Sequence, residues 1–337
     1  MVPTTLPSPD LHPLDAAFGG PVLALDLGAT RVRAALVGPD GSILARAEAL
    51  SRTERGPAAV LDTAEELLRA VRAPAIGIGI SAIGPVDPVA GVIVDPPNAH
   101  PSFRDVPIAS ELASRLGLPA FLDRDTNVAL LGERAFGAAR GVADVVYLTV
   151  STGIGGAILA GGVLLHGADG MAGELGHLLV ELDGPPCGCG ARGHLEALAC
   201  GAGIAREARA SIEAGASPML RAVADRAGLD GVSAADVAAA EEAGDPAAGA
   251  IMSHARRAFA AAMVVIADVF NPSLVIVGGS IARAQGDRLL QPARDAVRAT
   301  AFRTPGRRLS IVPAALGDDV GLVGCLALVR ERLAAGG

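Results

Sequence analysis

The sequence predicts an α/β fold of two related lobes, each built on a mixed β-sheet flanked by helices. Two apolar strand–turn–strand segments, at residues 22–37 and 145–159, stand near the start of each half of the 337-residue chain. Both continue through a glycine-containing turn, at 38–41 and 161–162, into a third short strand. Apolar runs separated by such turns form hairpins. The same strand–turn–strand pattern at the start of both halves indicates an internal repeat.

Behind the first hairpin, helical and strand patterns alternate. Helical periodicity covers residues 57–71, 108–116 and 127–136, and apolar runs typical of buried strands lie at 75–80 and 120–122. Hairpins followed by alternating helices and strands predict a mixed sheet with helices packed on it.

Behind the second hairpin the alternation continues. The predicted elements are helices 194–210, 217–227, 233–242 and 245–270, strand 273–277, helix 291–300, strand 309–312 and helix 321–333. Ser217 is a predicted N-cap with Pro218 at the first helical position, where a missing N–H does no harm. Ser233 and Asp236 have the spacing of a capping box.

We expect three segments along the chain. Residues 1–20 are proline-rich and form a disordered leader, residues 21–125 with 320–337 form a small N-terminal lobe, and residues 126–319 form a larger C-terminal lobe. The leader lacks the basic and apolar regions of a signal peptide. No apolar run reaches membrane-spanning length without a charge, glycine or proline.

Composition narrows the function classes. The net charge of −8 argues against a protein that grips a nucleic-acid backbone, which needs a basic face. The four cysteines do not suggest a disulfide framework, which fits a reducing cytoplasm. Cys200 and Cys325 lie in apolar surroundings and are predicted to be buried small hydrophobic residues.

The most specific signal is a short stretch with four candidate metal ligands. They are His177, Cys187, Cys189 and His194. Two thiolates and two imidazoles are a usual tetrahedral set for structural zinc. Glu174 and Glu196 stand at the edges of this stretch, so a metal there would fix where both carboxylates point.

Two turns rich in glycine and threonine could hold phosphates. Asp26-Leu-Gly28-Ala-Thr30 lies on the first hairpin; glycine lets a backbone approach a phosphate, and aspartate can hold a metal ion. Taken alone, the segment from Asp26 to Thr30 also fits an ordinary turn with no ligand. Its partner, residues 151–156, occupies the same place in the second half, and two such turns could grip a polyphosphate from both sides.

Asp125 follows a predicted strand and opens a helix. A carboxylate at the carboxyl end of a strand is well placed to act as a base on a hydroxyl. An aspartate at this position could equally be a helix N-cap, and the segment alone does not decide between a base and a cap.

Together these residues resemble the ROK family (repressors, open reading frames and kinases) of the actin-like ATPase superfamily, from about Pro21 to the C-terminus. Beyond the motifs above, the resemblance rests on residues 79–87 (Gly79-Ile-Ser-Ala-Ile-Gly84-Pro85-Val-Asp87), Pro97-Asn98, the Gly173-Glu174-Leu-Gly-His177 segment and residues 271–279 (Asn271-Pro-Ser-Leu-Val-Ile-Val-Gly-Gly279). The pairing of Glu-x-Gly-His with Cys-x-Cys-Gly is specific to this family.

The resemblance implies two actin-like lobes with an active site in the cleft between them. It implies an ATP-dependent sugar kinase, of the glucokinase or N-acetyl-amino-sugar type, that usually phosphorylates the 6-hydroxyl. The expected cofactors are ATP, Mg²⁺ and a structural Zn²⁺. The expected partners are the sugar and ATP, with no nucleic acid and no membrane, in a cytoplasmic homodimer or homotetramer.

The resemblance also implies a role for each matched residue. Asp125 is the base. The sugar is bound by Asn98, Arg124, Asp125, Glu174, His177 and Glu196. ATP and Mg²⁺ are held by Asp26, Gly28, Thr30, Thr152, Gly153, Gly278 and Gly279. Zinc is held by His177, Cys187, Cys189 and His194.

This chain departs from the family pattern in ways that bear on these roles. His194 stands where cysteine is usual; either it ligates zinc or it has lost that role. Arg124 stands where asparagine is usual and could bind the sugar differently, favour an acidic or already phosphorylated substrate, or turn away. Residues 81–83 replace a common Pro-Gly in a loop that borders the sugar.

The runner-up hypothesis is a sugar-sensing regulator of the same family with weak or no kinase activity. About twenty residues precede the first strand, too few for a helix-turn-helix module, so direct DNA binding is not expected. A zinc-stabilised scaffold ranks last because it leaves both phosphate turns unexplained.

Overall fold

The computed structural model describes residues 19–96 and 99–336. These residues divide into two compact units. The first runs to Phe136 and resumes at Asp318, and the second covers Gly137–Gly317.

The first unit is an α/β layer structure around a five-stranded sheet. Its elements are β1 (Val22–Leu27), β2 (Arg31–Val37), β3 (Ile43–Leu50), α1 (Pro57–Ala70), β4 (Ile78–Ala82), β5 (Val86–Asp87), β6 (Val92–Ile93), α2 (Ile108–Leu116), β7 (Ala120–Arg124), α3 (Asp125–Phe136) and α12 (Val320–Gly336). The strand order is β3-β2-β1-β4-β7. The first three strands form an antiparallel meander, and β1, β4 and β7 are parallel.

The second unit repeats this arrangement. Its elements are β8 (Val145–Val150), β9 (Ile154–Ala160), β10 (Val163–Leu164), α4 (Leu195–Ala199), α5 (Gly201–Glu213), α6 (Pro218–Ala227), α7 (Ala234–Glu242), α8 (Pro246–Phe270), β11 (Leu274–Gly278), α9 (Ser280–Gln285), α10 (Asp287–Thr300), α11 (Arg303–Arg308) and β12 (Ser310–Pro313). Its strand order is β10-β9-β8-β11-β12, again a meander joined to parallel strands. The internal repeat predicted from the hairpins is therefore confirmed.

Helix α3 lies in the first unit, although the sequence suggested a boundary at residue 125. The reason is packing against the C-terminal helix α12, through small residues on both helices. A Cβ on Gly132 would lie 3.1 Å from the Cα of Gly324, and one on Gly324 only 2.0 Å from the carbonyl oxygen of Val128. Glycine is thus required at position 324, and a side chain at position 132 would be tight; this close contact holds α3, and with it Asp125, to the first unit.

Each unit has its own apolar core of aliphatic side chains. Cys200 and Cys325 are both buried, as predicted. Burial raises the pKa of both thiols, which keeps them protonated.

Helix boundaries differ from prediction in one place that matters for the site. The predicted helix 194–210 is two helices, α4 and α5, because Cys200 adopts an extended conformation between them (φ −86°, ψ 168°). Gly201 and Gly203, directly after the break, are the local features that weaken a continuous helix there. The N-caps at Ser217 and Ser233 are confirmed, the latter as a full capping box with Asp236.

Helix α8 is long and apolar enough by composition to cross a membrane. Half of that apolar window is buried inside the second unit, as in the core helix of a soluble protein. Asp245 caps its N-terminus by accepting from the amides of Ala247 and Ala248, both at 2.9 Å.

Candidate active site

The carboxylate of Asp26, at the end of β1, is held on both oxygens. Oδ2 accepts from Arg33 Nε and Nη2, at 3.0 and 2.5 Å, and Oδ1 accepts from the Ser81 hydroxyl at 3.0 Å. Although burial acts to lower it, the charge and hydrogen bonds of Asp26 raise the pKa of Arg33. Asp26 is therefore a fixed anion facing a fixed cation, and its orientation does not depend on a bound ligand.

Ser51 holds the turn that follows Asp26 through two hydrogen bonds. The Ser51 hydroxyl donates to the carbonyl of Gly28 at 2.6 Å, and its amide donates to the carbonyl of Thr30 at 2.9 Å. Ser51 is buried, whereas Thr30 is exposed. With both carbonyls tied back, and with the Gly28 amide donating to the Arg31 carbonyl at 2.9 Å, the turn leaves Thr30 exposed.

Asp125 is the first residue of α3, directly after β7. It is half-buried, and its Oδ1 accepts from the amide of Thr126 at 2.7 Å. The neighbouring Asp123 is buried; its Oδ1 accepts from the Arg124 amide and from Asn127 Nδ2, both at 2.8 Å. Asp123 thus anchors the strand-to-helix junction internally, and Asp125 is the more exposed carboxylate of the pair.

Arg124 is buried at the end of β7, with 4 % of its surface exposed. A Cβ placed on Gly84 would lie 2.9 Å from the Arg124 Cδ. The arginine stem therefore packs on the loop that follows β4, so two departures from the family pattern, Arg124 and residues 81–83, lie in neighbouring parts of one unit.

In the second unit, the turn formed by residues 151–154 is bound by the N-terminus of α5. The amides of Gly201 and Ala202 donate to the carbonyls of Ser151 and Thr152, at 2.7 and 3.2 Å. The break at Cys200 makes this possible, because it frees the first amides of α5 from a preceding helical turn.

Glu196 on α4 contacts the same turn. Its Oε2 accepts from the amide of Ile154 at 2.9 Å, and a Cβ on Gly153 would lie 2.7 Å from that oxygen. Glycine at position 153 therefore lets the carboxylate, at the free end of a flexible side chain, approach the turn closely. The sequence suggested a sugar-binding role for Glu196 and gave no sign of this contact.

Gly278 and Gly279, at the end of β11, are confined by their neighbours. A Cβ on Gly278 would lie 2.7 Å from the Tyr147 hydroxyl oxygen. Gly279 has φ +93°, and its Cβ would lie 2.4 Å from the carbonyl oxygen of Val150. Glycine at these two positions therefore lets the end of β11 pack directly against β8.

The four predicted zinc ligands lie together. Their ligand atoms all fall within 4.8 Å of one another: His177, Cys187, Cys189 and His194. The shorter separations are 3.2 Å between the two histidine Nδ1 atoms, 3.3 Å from Cys189 Sγ to His194 Nδ1 and 3.8 Å from Cys187 Sγ to His177 Nδ1. Tetrahedral zinc with usual bond lengths separates its ligands by about 3.3–3.8 Å. The donor set, with His194 included, therefore fits zinc in type and spacing.

His177 connects this cluster to Glu174. Its Nδ1 belongs to the cluster, and its Nε2 lies 3.9 Å from Glu174 Oε2. Gly176 lets this segment lie directly on β9, since a Cβ there would lie 2.1 Å from the carbonyl oxygen of Ile154. Holding one nitrogen of an imidazole fixes the direction of the other. Asn98, also predicted to bind the sugar, lies outside the described residues.

Comparison with known proteins decides the family. The sequence model of the ROK family matches residues 22–332. The chain belongs to the ROK family.

Several ROK proteins are similar to it over nearly their whole length. A glucokinase of Thermotoga maritima is 35 % identical over 93 % of this chain and 98 % of its own. An N-acetylmannosamine kinase of Shigella flexneri is 32 % identical, over 93 % and 99 %. The crystal structure of a ROK glucokinase from Streptomyces griseus in complex with glucose and AMPPNP superimposes with a TM-score of 0.76, at 31 % identity, over 93 % of this chain and 100 % of that one.

These comparisons confirm the predicted fold. ROK glucokinases have the two-lobed actin-like architecture, and the repeated five-stranded sheets described above are its hallmark. Two polar residues that support the candidate site, Arg33 and Ser51, were not singled out from the sequence, and neither was the hydrogen bond of Ser81 to Asp26. Arg33 alone carried a local signal, since it faces Asp26 across the first hairpin.

Proposed function

We propose that the protein is an ATP-dependent sugar kinase that phosphorylates a hexose or an N-acetylhexosamine, at the 6-hydroxyl. The observation that carries the proposal is the contact between Glu196 and the turn at Gly153 and Ile154. It joins a carboxylate suited to sugar hydroxyls to a backbone suited to phosphates, within the second unit. The kinase relatives and the glucose and AMPPNP complex support the same reaction.

In the proposed reaction, Asp125 accepts the proton of the attacking sugar hydroxyl. The hydroxyl oxygen bonds to the γ-phosphorus of ATP, the bond from that phosphorus to the bridging oxygen breaks, and ADP leaves with the electron pair. Phosphoryl transfer depends on alignment and charge neutralisation more than on covalent help. In this proposal the turns after Asp26 and at residues 151–153 supply phosphate donors, and Gly278 and Gly279 border the adenosine.

Asp26 is the residue we assign to Mg²⁺. Its carboxylate is preset by Arg33 and Ser81, so an ion carried by ATP meets an oriented oxygen donor. Mg²⁺ would neutralise charge on the phosphates.

The sugar would be bound by hydrogen-bond acceptors of the second unit together with Arg124 and Asn98. Hydroxyls are both donors and acceptors, so carboxylates such as Glu174 and Glu196 are suitable partners. A buried Arg124 brings a fixed positive charge in place of an amide, which favours a substrate with several acceptor oxygens.

The zinc-type cluster would act on sugar binding through His177. When bound, zinc supplies a structural crosslink and holds the His177 ring. The ring then directs its Nε2 toward the side where Glu174 stands. His194 precedes α4, so the same crosslink would fix Glu196.

A coupled ADP-release assay over glucose, N-acetylglucosamine, N-acetylmannosamine, mannose and fructose tests the function. Turnover with at least one sugar is expected, and its absence with all of them in zinc-loaded protein would refute the proposal. The alternative of a sugar-sensing regulator is not favoured by the kinase relatives. Titration calorimetry that shows sugar binding without ATP binding would revive it. We propose a cytoplasmic homodimer or homotetramer as the working form.

A further inference from the structure

Arg52 lies beside the turn formed by residues 28–31, which we call the first phosphate turn. Strands β2 and β3 are paired antiparallel as far as Leu50, and one residue further the Ser51 amide donates to the carbonyl of Thr30 at 2.9 Å. Arg52 comes next in the chain, so its Cα lies about 3.8 Å from that of Ser51. Thr30 and Arg52 are both exposed, and both belong to the first unit. An exposed arginine therefore flanks the exposed part of this turn.

The backbone of Arg52 is left-handed, which is unusual for a residue with a long side chain. Its φ is 48° and its ψ is 47°. Within the described residues, the other non-glycine residues with positive φ are Asp105 and Asn271. Short polar side chains tolerate this conformation because they form local hydrogen bonds, whereas other side chains suffer the crowding of Cβ without that compensation. Glycine would fit here without strain, and strain that persists in a fold is concentrated at functional sites.

The residues on both sides of Arg52 fix this conformation. Ser51 is bonded to the first phosphate turn through its hydroxyl and its amide. On the other side, Thr53 is buried, and its Oγ1 accepts from the His100 amide at 3.1 Å. The Arg55 amide donates to the carbonyl of Arg52 at 2.9 Å. The arginine side chain therefore extends from a backbone that is anchored before and after it.

The charge of Arg52 is not neutralised by any group in the described part of the chain. Its side chain makes no hydrogen bond and no ion pair there. The two other cations that follow the turn are both neutralised, Arg31 by Glu48 at 2.7 Å and Arg33 by Asp26. Arg52 is thus the cation that remains available to an anion at the first phosphate turn.

We propose that Arg52 binds the γ-phosphate of ATP, an inference that rests on the proposed kinase activity. The guanidinium group is a planar fork of donors that matches two phosphate oxygens. Asp125, the proposed base, belongs to the same unit as Arg52, whereas Gly278 and Gly279, assigned to the adenosine, belong to the other. The phosphate that meets the base is the γ-phosphate, so a cation of the first unit acts on that group.

The contribution of Arg52 to the reaction is electrostatic. During transfer, negative charge is spread over the three equatorial oxygens of the γ-phosphoryl group. Arg52 donates hydrogen bonds to these oxygens and stays protonated throughout, so it forms no covalent bond. A donor that is already in place where charge develops lowers the barrier to transfer. Loss of Arg52 should therefore lower kcat as well as the affinity for ATP.

Arg52→Gly tests the proposal because it removes the cation and keeps the left-handed backbone accessible. Calorimetric titration without sugar should show AMPPNP affinity reduced by about 10-fold or more, as expected for a lost charged hydrogen bond. ADP has no γ-phosphate, so its affinity should stay within about 2-fold of the wild type. In the ADP-release assay, kcat should fall by about 10-fold or more.

Two further variants control for charge and geometry. Arg52→Lys keeps the charge without the planar fork, so it should recover part of the lost AMPPNP affinity. Arg140→Gly makes the same substitution at an exposed arginine of the second unit and should match the wild type in every measurement. Thermal melting close to that of the wild type shows that Arg52→Gly is folded.

Wild-type kcat and wild-type AMPPNP affinity in Arg52→Gly would overturn the proposal. Equal loss of AMPPNP and ADP affinity would mean that Arg52 supports the turn as a whole, and a rise in the KM for sugar alone would assign it to the sugar; either result equally overturns it. If the wild type phosphorylates no sugar but Arg52→Gly still weakens AMPPNP selectively, the proposed function fails and the γ-phosphate contact stands.

Discussion

Replacement of Glu196 separates its two proposed tasks. Glu196→Ala removes the acceptor of the buried Ile154 amide, at 2.9 Å, together with the carboxylate available to the sugar. An amide that loses its acceptor costs about 1–3 kcal/mol. Because this amide belongs to the turn proposed to hold phosphate, the cost is expected in ATP binding, as an increase in the KM for ATP of about 5- to 150-fold.

Glu196→Gln preserves the shape and one acceptor. Its carbonyl oxygen can still face Ile154, so the KM for ATP should stay within about 3-fold of the wild type. The sugar loses a charged acceptor, worth about 1–2 kcal/mol, so kcat/KM for the sugar should fall by about 5- to 30-fold.

Steady-state ADP-release kinetics with each substrate varied in turn measure both effects, with Glu207→Gln on the neighbouring helix as the control. If Glu196→Ala and Glu196→Gln raise the KM for ATP equally, or neither does, the contact with the turn has no role in ATP binding. If Glu196→Gln leaves kcat/KM for the sugar unchanged, Glu196 does not bind the sugar.

Four further outcomes are expected. Gradual chelation of the zinc should lower sugar affinity, measured by calorimetry, before the far-ultraviolet circular dichroism signal is lost, because zinc holds His177 and the start of α4. Loss of sugar affinity and of the circular dichroism signal in one transition would make the metal purely structural. Ser51→Ala should raise the KM for ATP about 5-fold through one lost hydrogen bond, without change in the KM for sugar; an equal rise in both would contradict a role specific to the first phosphate turn. Asp245→Ala should lower the free energy of unfolding by about 2–3 kcal/mol, measured with urea, because it removes an N-cap and the partner of the buried Ser217 hydroxyl at 2.6 Å. Although burial acts to raise it, hydrogen bonds from Ser217 and the α8 amides hold the pKa of Asp245 below its usual value. The stabilisation that Asp245 provides is therefore present above about pH 4 and is lost as the pH falls below that. The Asp245→Asn variant should unfold less steeply with acid, and an unchanged acid transition would contradict this assignment.

The repeated fold and the zinc donor set could be predicted because their signals are local. Each hairpin carries its own alternation and glycine turn, and the four donors lie within one short stretch of sequence. The replacement of cysteine by His194 did not hide the cluster, since its spacing and chemistry remain those of a zinc site.

The contacts that position the site could not be predicted because they join distant segments. Ser51 fastens a turn more than twenty positions earlier, and Glu196 meets Ile154 from across the zinc loop. The break at Cys200 is also tertiary in origin. The amides freed there bind the carbonyls of Ser151 and Thr152, a contact between segments about fifty positions apart.

The central claim is that Asp125 is the base of a sugar kinase, and one comparison tests it most directly. Wild-type protein and Asp125→Asn are assayed for ADP release with the best sugar of the panel, and sugar affinity is measured in parallel by calorimetry. The account predicts that turnover is abolished in Asp125→Asn while sugar affinity stays within a few-fold. Near-normal turnover in the variant would contradict it.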